Sequence, residues 1–138
     1  MSGKIFLDTN VLIYAYSAYE PLKKAQAQAL IANANGNTWL STQVLVEFVN
    51  VSHRKLKASW ADVQIALIEL TASYQIAQTT PVTIAHATRL AHRYGFSWFD
   101  ALIVAAALAC DCETLYSEDL NAGQLIEGTL RVVNPFAG

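Results

Sequence analysis

The chain has 138 residues, of which 54% are hydrophobic and only 14% charged, and its formal net charge is −2. This length suits one domain with an ordinary core that needs neither disulfides nor a structural metal. The charge excludes a global positive field for nucleic acid, so a polyanion has to be met by a local basic patch or by bound cations, and the scarcity of surface charge predicts an interface with a partner or a second copy.

Cys110 and Cys112 are one residue apart. They match neither a disulfide framework nor the Cys-x-x-Cys spacing of zinc sites, and read as free thiols. Met1-Ser2-Gly3-Lys4 leads straight into a strand pattern without the apolar core of a secretory signal. The longest apolar run, Ala101 to Cys110, is about half of the roughly twenty residues that span a bilayer. A cytoplasmic protein is expected.

Lys4-Ile5-Phe6-Leu7 reads as a short apolar strand that ends in Asp8 and turns through Thr9-Asn10 into a short helix reaching Tyr16. Strands of this kind deliver side chains to the rim of a sheet, which makes Asp8 the first candidate site residue. Pro21 opens a second helix, with Leu22, Ala25, Ala29 and Leu30 expected inward and Lys23 and Lys24 in solvent. Asn35-Gly36-Asn37 ends it before a second strand at Thr38-Trp39-Leu40. From Ser41 or Thr42 a helix runs through Val44, Leu45, Phe48 and Val49 towards Leu56, with Glu47 in its most apolar part. A helix capped at Ser59 carries Val63, Leu67 and Leu70 and forms a hairpin with it.

Tyr74 to Gln78 is weakly strand-like, and Thr80-Pro81 precedes a helix from about Thr83 to Tyr94 with Ile84, Ala87, Leu90 and Ala91 inward. Ser97-Trp98-Phe99-Asp100 opens an alanine-rich helix to Cys110. Thr114 to Tyr116 and Arg131 to Val133 read as strands, with the acidic turn Ser117-Glu118-Asp119 between them. Nothing marks a domain boundary or a repeat. The alternation predicts an α/β fold, a three-layer α/β/α sandwich around a mostly parallel sheet of four to five strands, as a single domain over 1–138.

Asp8, Glu47, Asp100 and Asp119 each lie beside or inside an apolar segment, where an unpaired charge is costly. If the four converge, mutual repulsion raises their proton affinities unless a divalent ion binds among them, and oxygen donors without His or Cys favour magnesium or manganese over zinc. Each also has a plainer reading. Asp8 or Asn10 can cap a helix, Asp100 stands at capping-box spacing from Ser97, Asp119 and Glu118 can be turn residues, and Glu47 can belong to a buried ion pair.

In order and spacing, Phe6-Leu7-Asp8-Thr9-Asn10-Val11-Leu12, Ser41-Thr42-Gln43-Val44-Leu45-Val46-Glu47-Phe48, Trp98-Phe99-Asp100-Ala101-Leu102-Ile103-Val104-Ala105-Ala106-Ala107 and Leu115-Tyr116-Ser117-Glu118-Asp119-Leu120 resemble a PIN domain of the VapC toxin type, over essentially the whole chain. The resemblance implies the toxin of a type II toxin-antitoxin system, an endoribonuclease that hydrolyses RNA phosphodiester bonds with metal-activated water to leave 5′-phosphate and 3′-hydroxyl ends. It implies that Asp8, Glu47, Asp100 and Asp119 hold one or two Mg2+ or Mn2+ ions, supported by Thr9, Asn10 and Ser117. Glu118 competes for the fourth position, and the Ser-x-Asp pattern favours Asp119.

The resemblance also implies a cognate VapB-type antitoxin and a homodimer. An antitoxin helix is expected in a groove near Leu12, Ala29, Phe48 and Leu56. Arg54, Lys55 and Lys57, with His53, and Arg93, with Arg89 and His92, are candidates to guide RNA. The alternatives on the same scaffold are a catalytically inactive PIN-like binding module and a housekeeping PIN nuclease that is not a toxin. A phosphatase with an aspartyl nucleophile calls for a second Asp two residues after the first, where this chain has Asn10.

Overall fold

Local chemistry sets the element boundaries. In the computed structural model, which describes residues 3–137, β1 (Ile5–Leu7) is buried throughout, and Asp8 caps α1 (Thr9–Tyr16) by accepting the Thr9 N–H. α2 (Pro21–Asn33) starts on proline, whose missing N–H goes unneeded in a first helical turn. β2 (Thr38–Ser41) passes directly into α3 (Thr42–Arg54), where the Ser41 hydroxyl accepts the Val44 N–H at 3.2 Å. α4 (Trp60–Ser73) is capped by Ser59 and followed by β3 (Gln75–Ala77). α5 (Pro81–Tyr94) starts at Pro81 rather than Thr83, because Thr80 and Thr83 form a capping box around the proline, and Gly95 ends it at φ 77°. α6 (Trp98–Ala109) leads to β4 (Thr114–Tyr116), and β5 (Leu125–Ile126) pairs with β6 (Leu130–Val133) at the end of the chain.

The strand order is β3-β2-β1-β4-β6-β5, and every pairing is parallel except β5 with β6. The chain steps outward from β1 to β2 to β3 and then returns past them to β4. Right-handed crossovers therefore put α1 to α4 on one face and α5 with α6 on the other, the three-layer arrangement expected. The sheet has six strands rather than four or five. The additional β5 is two residues long, too short for an alternating pattern to register.

The core joins Phe6, Leu7, Leu40, Leu115 and Val132 of the sheet to Val11 and Leu12 of α1 and to an unbroken buried run from Ala101 to Ala107 on α6. A helix apolar on all sides belongs inside, and its alanines leave room for close approach. Cys110 and Cys112 are free thiols with Sγ atoms 4.0 Å apart.

α2 packs on a different face from the one expected. Ala27 is fully buried and Leu30 and Ile31 partly so, whereas Leu22 is 73% exposed and Ala25 and Ala29 are exposed. Lys23 is not simply in solvent either. It places its ammonium over Tyr14 and Phe136, with Nζ 4.6 and 5.2 Å from the ring centroids, and pairs with Glu118. Ile84 on α5 is likewise outside, at 42% exposure.

Candidate active site

β1 and β4 are adjacent and parallel, with Leu7 opposite Tyr116, so they end at the same edge of the sheet. The chain leaves β1 towards β2 on one side and arrives at β4 from the other, and a crevice at such a reversal of strand order is where open α/β sheets hold ligands. The residues that follow the two strands meet there. Asp8 donates its N–H to the Tyr116 carbonyl at 3.0 Å, and the Ser117 hydroxyl donates to Asp8 Oδ2 at 2.8 Å.

Further bonds extend from this pair. Thr9 N–H donates to Asp8 Oδ1 at 2.7 Å, and the Thr9 hydroxyl donates to Glu47 Oε1 at 2.9 Å. Gln43, one helical turn before Glu47, donates to its other oxygen at 2.9 Å. Asn10 Nδ2 donates to Asp119 Oδ2 at 2.9 Å, and Ser117 Oγ accepts the N–H groups of Asp119 and Leu120 at 3.3 Å each. Asp100 sits in the first turn of α6, where Ser97 accepts its N–H at 3.4 Å. Its carboxylate accepts no hydrogen bond among the described residues, so the reciprocal half of a capping box is missing.

Asp8 is 6% exposed, and its carboxyl is pushed up to about 6. Burial is the main cause. The bonds from Ser117 and Thr9 oppose it, and the charges of Asp100 and Asp119 add to it. None of Asp8, Glu47, Asp100 and Asp119 forms an ion pair among the described residues, where Lys23 pairs with Glu118 and Arg93 with Glu127 instead. The crevice therefore holds negative charge that no cation among the described residues pairs with.

Residues 5–125 match the family model described as the PIN domain. The chain belongs to the PIN-domain family. Among curated proteins, none matches it by sequence. Solved structures share the fold. VapC20 of Mycobacterium tuberculosis, described as a sarcin-ricin loop cleaving toxin, is 23% identical with a TM-score of 0.71, over 84% of this chain and 90% of that one. A toxin-antitoxin complex from Klebsiella pneumoniae gives 20% identity and a TM-score of 0.75, over 96% and 98%. VapBC2 of Rickettsia felis bound to a promoter DNA fragment gives 22% and 0.64, over 94% and 98%. The architecture of this PIN domain is thus that of VapC proteins. No helix among the described residues is long and apolar enough to cross a membrane.

PIN nucleases are associated with divalent ions, and the residues of this crevice can be tested for fit. Among the described residues, no three His, Cys, Asp or Glu side chains lie together closely enough to hold a metal ion as they stand. The donors nevertheless fit a hard cation. All are oxygens, Asp100 has both free, and each engaged oxygen of Asp8 and Glu47 accepts from one donor only, which leaves it a lone pair.

The PIN crevice gathers Asp8, Thr9, Asn10, Glu47, Ser117 and Asp119 into one bonded network, and Asp100 reaches it through its charge. Glu118 faces elsewhere, pairing with Lys23 and accepting from the Tyr14 hydroxyl at 3.2 Å. Arg93 is engaged by Glu127 at 3.1 Å and lies 5.4 Å from the Tyr94 ring centroid. Arg54, Lys55 and Lys57 are exposed at the end of α3. Of the residues expected around a groove, Leu12, Ala29, Phe48 and Leu56, the last two line a cleft, whereas Leu12 is fully buried and Ala29 is not part of the lining. That cleft, of about 280 Å3, is lined by Ile13, Tyr16, Phe48, Leu56, Val63 and Ala66, among others. Gln43 was not among the expected residues, although its spacing of four from Glu47 on a helix is a readable signal. The pairing of Lys23 with Glu118, 95 residues apart, has no local one.

Proposed function

We propose that this PIN domain, a single unit over 1–138, is a cytoplasmic endoribonuclease dependent on Mg2+ or Mn2+ and the toxin of a type II toxin-antitoxin system. The observation that carries this reading is the buried, unneutralised carboxylate of Asp8 beside Asp100 and Asp119. Asp8, Glu47, Asp100 and Asp119 hold one or two ions. Bound there, the metal supplies charge neutralisation for a phosphodiester and an activated water.

The protein's own contribution is positional. Ser117 and Thr9 fix Asp8, Thr9 and Gln43 hold Glu47 from both sides, and Asn10 aims Asp119. Arg54, Lys55 and Lys57 supply the positive charge that a chain of net charge −2 lacks globally. RNA as the substrate is supported by the likeness to VapC20, and a VapB-type antitoxin by the toxin-antitoxin complexes among the similar structures. The antitoxin segment takes the cleft around Phe48 and Leu56. A second copy of the chain covers the nearly all-apolar hollow lined by Leu45, Val46, Val49 and Leu67.

The test is cleavage of structured RNAs by purified protein with Mg2+ or Mn2+, against chelator, Asp8→Asn and Asp100→Asn. Metal-dependent cutting that both substitutions abolish is the expected result. Cleavage that survives chelation or either substitution overturns the metal site, and folded protein that neither binds metal nor cuts RNA is a binding module instead.

A further inference from the structure

The junction between α3 and α4 carries features that the acidic crevice does not use. Arg54, Lys55 and Lys57 are three of the chain's nine Lys and Arg residues, and all three are exposed. Beside them Trp60 keeps 57% of its surface in solvent. The ring of His53 stacks on it, with centroids 3.9 Å apart and planes 20° from parallel. His53 is itself fixed, because its Nδ1 lies 3.0 Å from the Ala58 carbonyl. That oxygen can only accept, so Nδ1 carries the proton.

The loop is held in an uncommon shape. Lys57 has φ 61°, a left-handed conformation that costs energy for any residue with a Cβ and that clusters at functional sites. Backbone bonds from Leu56 to Val51 at 3.2 Å and from Ala58 to Ser52 at 3.0 Å keep it there. His53, Arg54, Lys57 and Ala58 line a shallow, open and largely polar hollow of about 500 Å3.

This basic group is continuous with the crevice. Glu47, Val51 and Lys55 recur every four residues on one face of α3, which puts Lys55 roughly 12 Å along the axis from Glu47. Lys55 and Val51 also line a cleft of about 380 Å3 together with Asn10, the residue bonded to Asp119. A positive track therefore begins at the edge of the acidic centre and ends beside an exposed indole.

We propose that the α3–α4 junction is a subsite for single-stranded RNA, in which an unpaired base stacks on the free face of Trp60 while Arg54, Lys55 and Lys57 hold the flanking phosphates. The assignment of RNA rests on the function proposed above. His53 backs the indole, as a rigid platform requires. Every base has a π-face, so this subsite tolerates sequence, and a closed duplex cannot offer a base to it.

The test is fluorescence anisotropy of the full chain with a labelled unpaired RNA of about twelve nucleotides in chelator, so that binding is read without cleavage. Trp60→Ala should weaken binding about tenfold with the salt dependence unchanged, and Trp60→Phe should restore most of the affinity. Arg54→Gln with Lys57→Gln should weaken it and reduce the salt slope by about 1.4, the single-strand value for two lost phosphate contacts. A duplex of equal length should bind more weakly. Equal affinity of wild type, Trp60→Ala and Trp60→Phe overturns the proposal. So does an equal loss with Trp60→Ala for an acidic peptide of matched charge, which makes the patch a peptide site, and so does a wild type that binds no RNA in this assay. Cleavage with Mn2+, measured separately, distinguishes the two readings. Trp60-dependent binding without cutting leaves the subsite and removes the nuclease, and cutting without Trp60-dependent binding does the reverse.

Discussion

Ser117 donates its hydroxyl to Asp8 Oδ2 at 2.8 Å across 109 positions of sequence, and Ser117 Oγ itself accepts the N–H groups of Asp119 and Leu120 at 3.3 Å each. One buried hydroxyl ties the end of β1 to the turn after β4 and orders two of the acids. Ser117→Ala should cost about 1–3 kcal/mol, the range for leaving buried polar groups unpaired. Urea unfolding measures that loss, and an RNA cleavage assay should show reduced activity at unchanged metal concentration.

The carboxyl of Asp8, pushed up to about 6 from 3.8 in an unburied aspartate, makes the ion-free fold pH-dependent. A raised carboxyl stabilises the folded state where it is protonated. That contribution is whole below pH 3.8, is lost as the pH climbs to about 6, and is absent above it. The difference amounts to about 3 kcal/mol. In chelator, wild type should lose stability across this window and Asp8→Asn should not, so at neutral pH the variant should melt higher while cutting no RNA. Saturating Mn2+ should raise the melting temperature of wild type alone. An Asp8→Asn protein no more stable than wild type at neutral pH contradicts the electrostatic account.

Glu47 is held from both sides by Thr9 and Gln43. Thr9→Val and Gln43→Leu each remove one donor from a partly exposed carboxylate. Each should weaken Mn2+ binding about ten- to hundredfold, as loss of a ligand's supporting bond does elsewhere. Isothermal titration of the folded variants reads this directly, and unchanged affinity in both removes Glu47 from the metal set.

Glu118 and Asp119 are neighbours with opposite commitments, one to Lys23 and Tyr14 and the other to Asn10. Glu118→Gln should leave cleavage close to wild type, whereas Asp119→Asn should lower it sharply. The reverse pattern in a cleavage time course would make Glu118 the fourth acid.

Antitoxin capture is best probed at Leu56, which is 38% exposed on the rim of the 280 Å3 cleft. Leu56→Glu should reduce affinity for the antitoxin's toxin-binding segment while circular dichroism stays native. Phe48 is unsuitable for this purpose, since at 3% exposure a charge placed there unfolds the protein before it tests an interface. Wild-type affinity in Leu56→Glu would move the antitoxin elsewhere.

Asp8 and Glu47 stood out in the sequence because a carboxylate next to Phe6-Leu7 or inside Val44-Leu45-Val46 contradicts its surroundings, and such contradictions concentrate where function overrides packing. The parallel sheet was legible for a similar reason, since short apolar runs kept alternating with capped helices. The inward face of α2 was not, because alanines give a weak period, and neither was the setting of Lys23, which Tyr14, Phe136 and Glu118 define, all remote from it along the chain. The same remoteness hid the division of labour between Glu118 and Asp119, which depends on Lys23 and Asn10. β5 lay below the length at which any pattern can speak.

The placement of β4 between β1 and β6 also sets an order of events for a growing chain. Asp8 is made 109 positions before its partner Ser117, and the strands β4 and β6 that complete this part of the sheet follow it at a similar distance. Parallel pairing over such a separation forms late, after the local helices. A nascent chain therefore carries every helix of α1 to α5 before it carries the full cluster of acids. The surfaces of α1, α3 and α4 that line the apolar cleft are complete in sequence well before Ser117 and Asp119 are made, so under the proposed function an antitoxin segment has a head start over the cluster of acids.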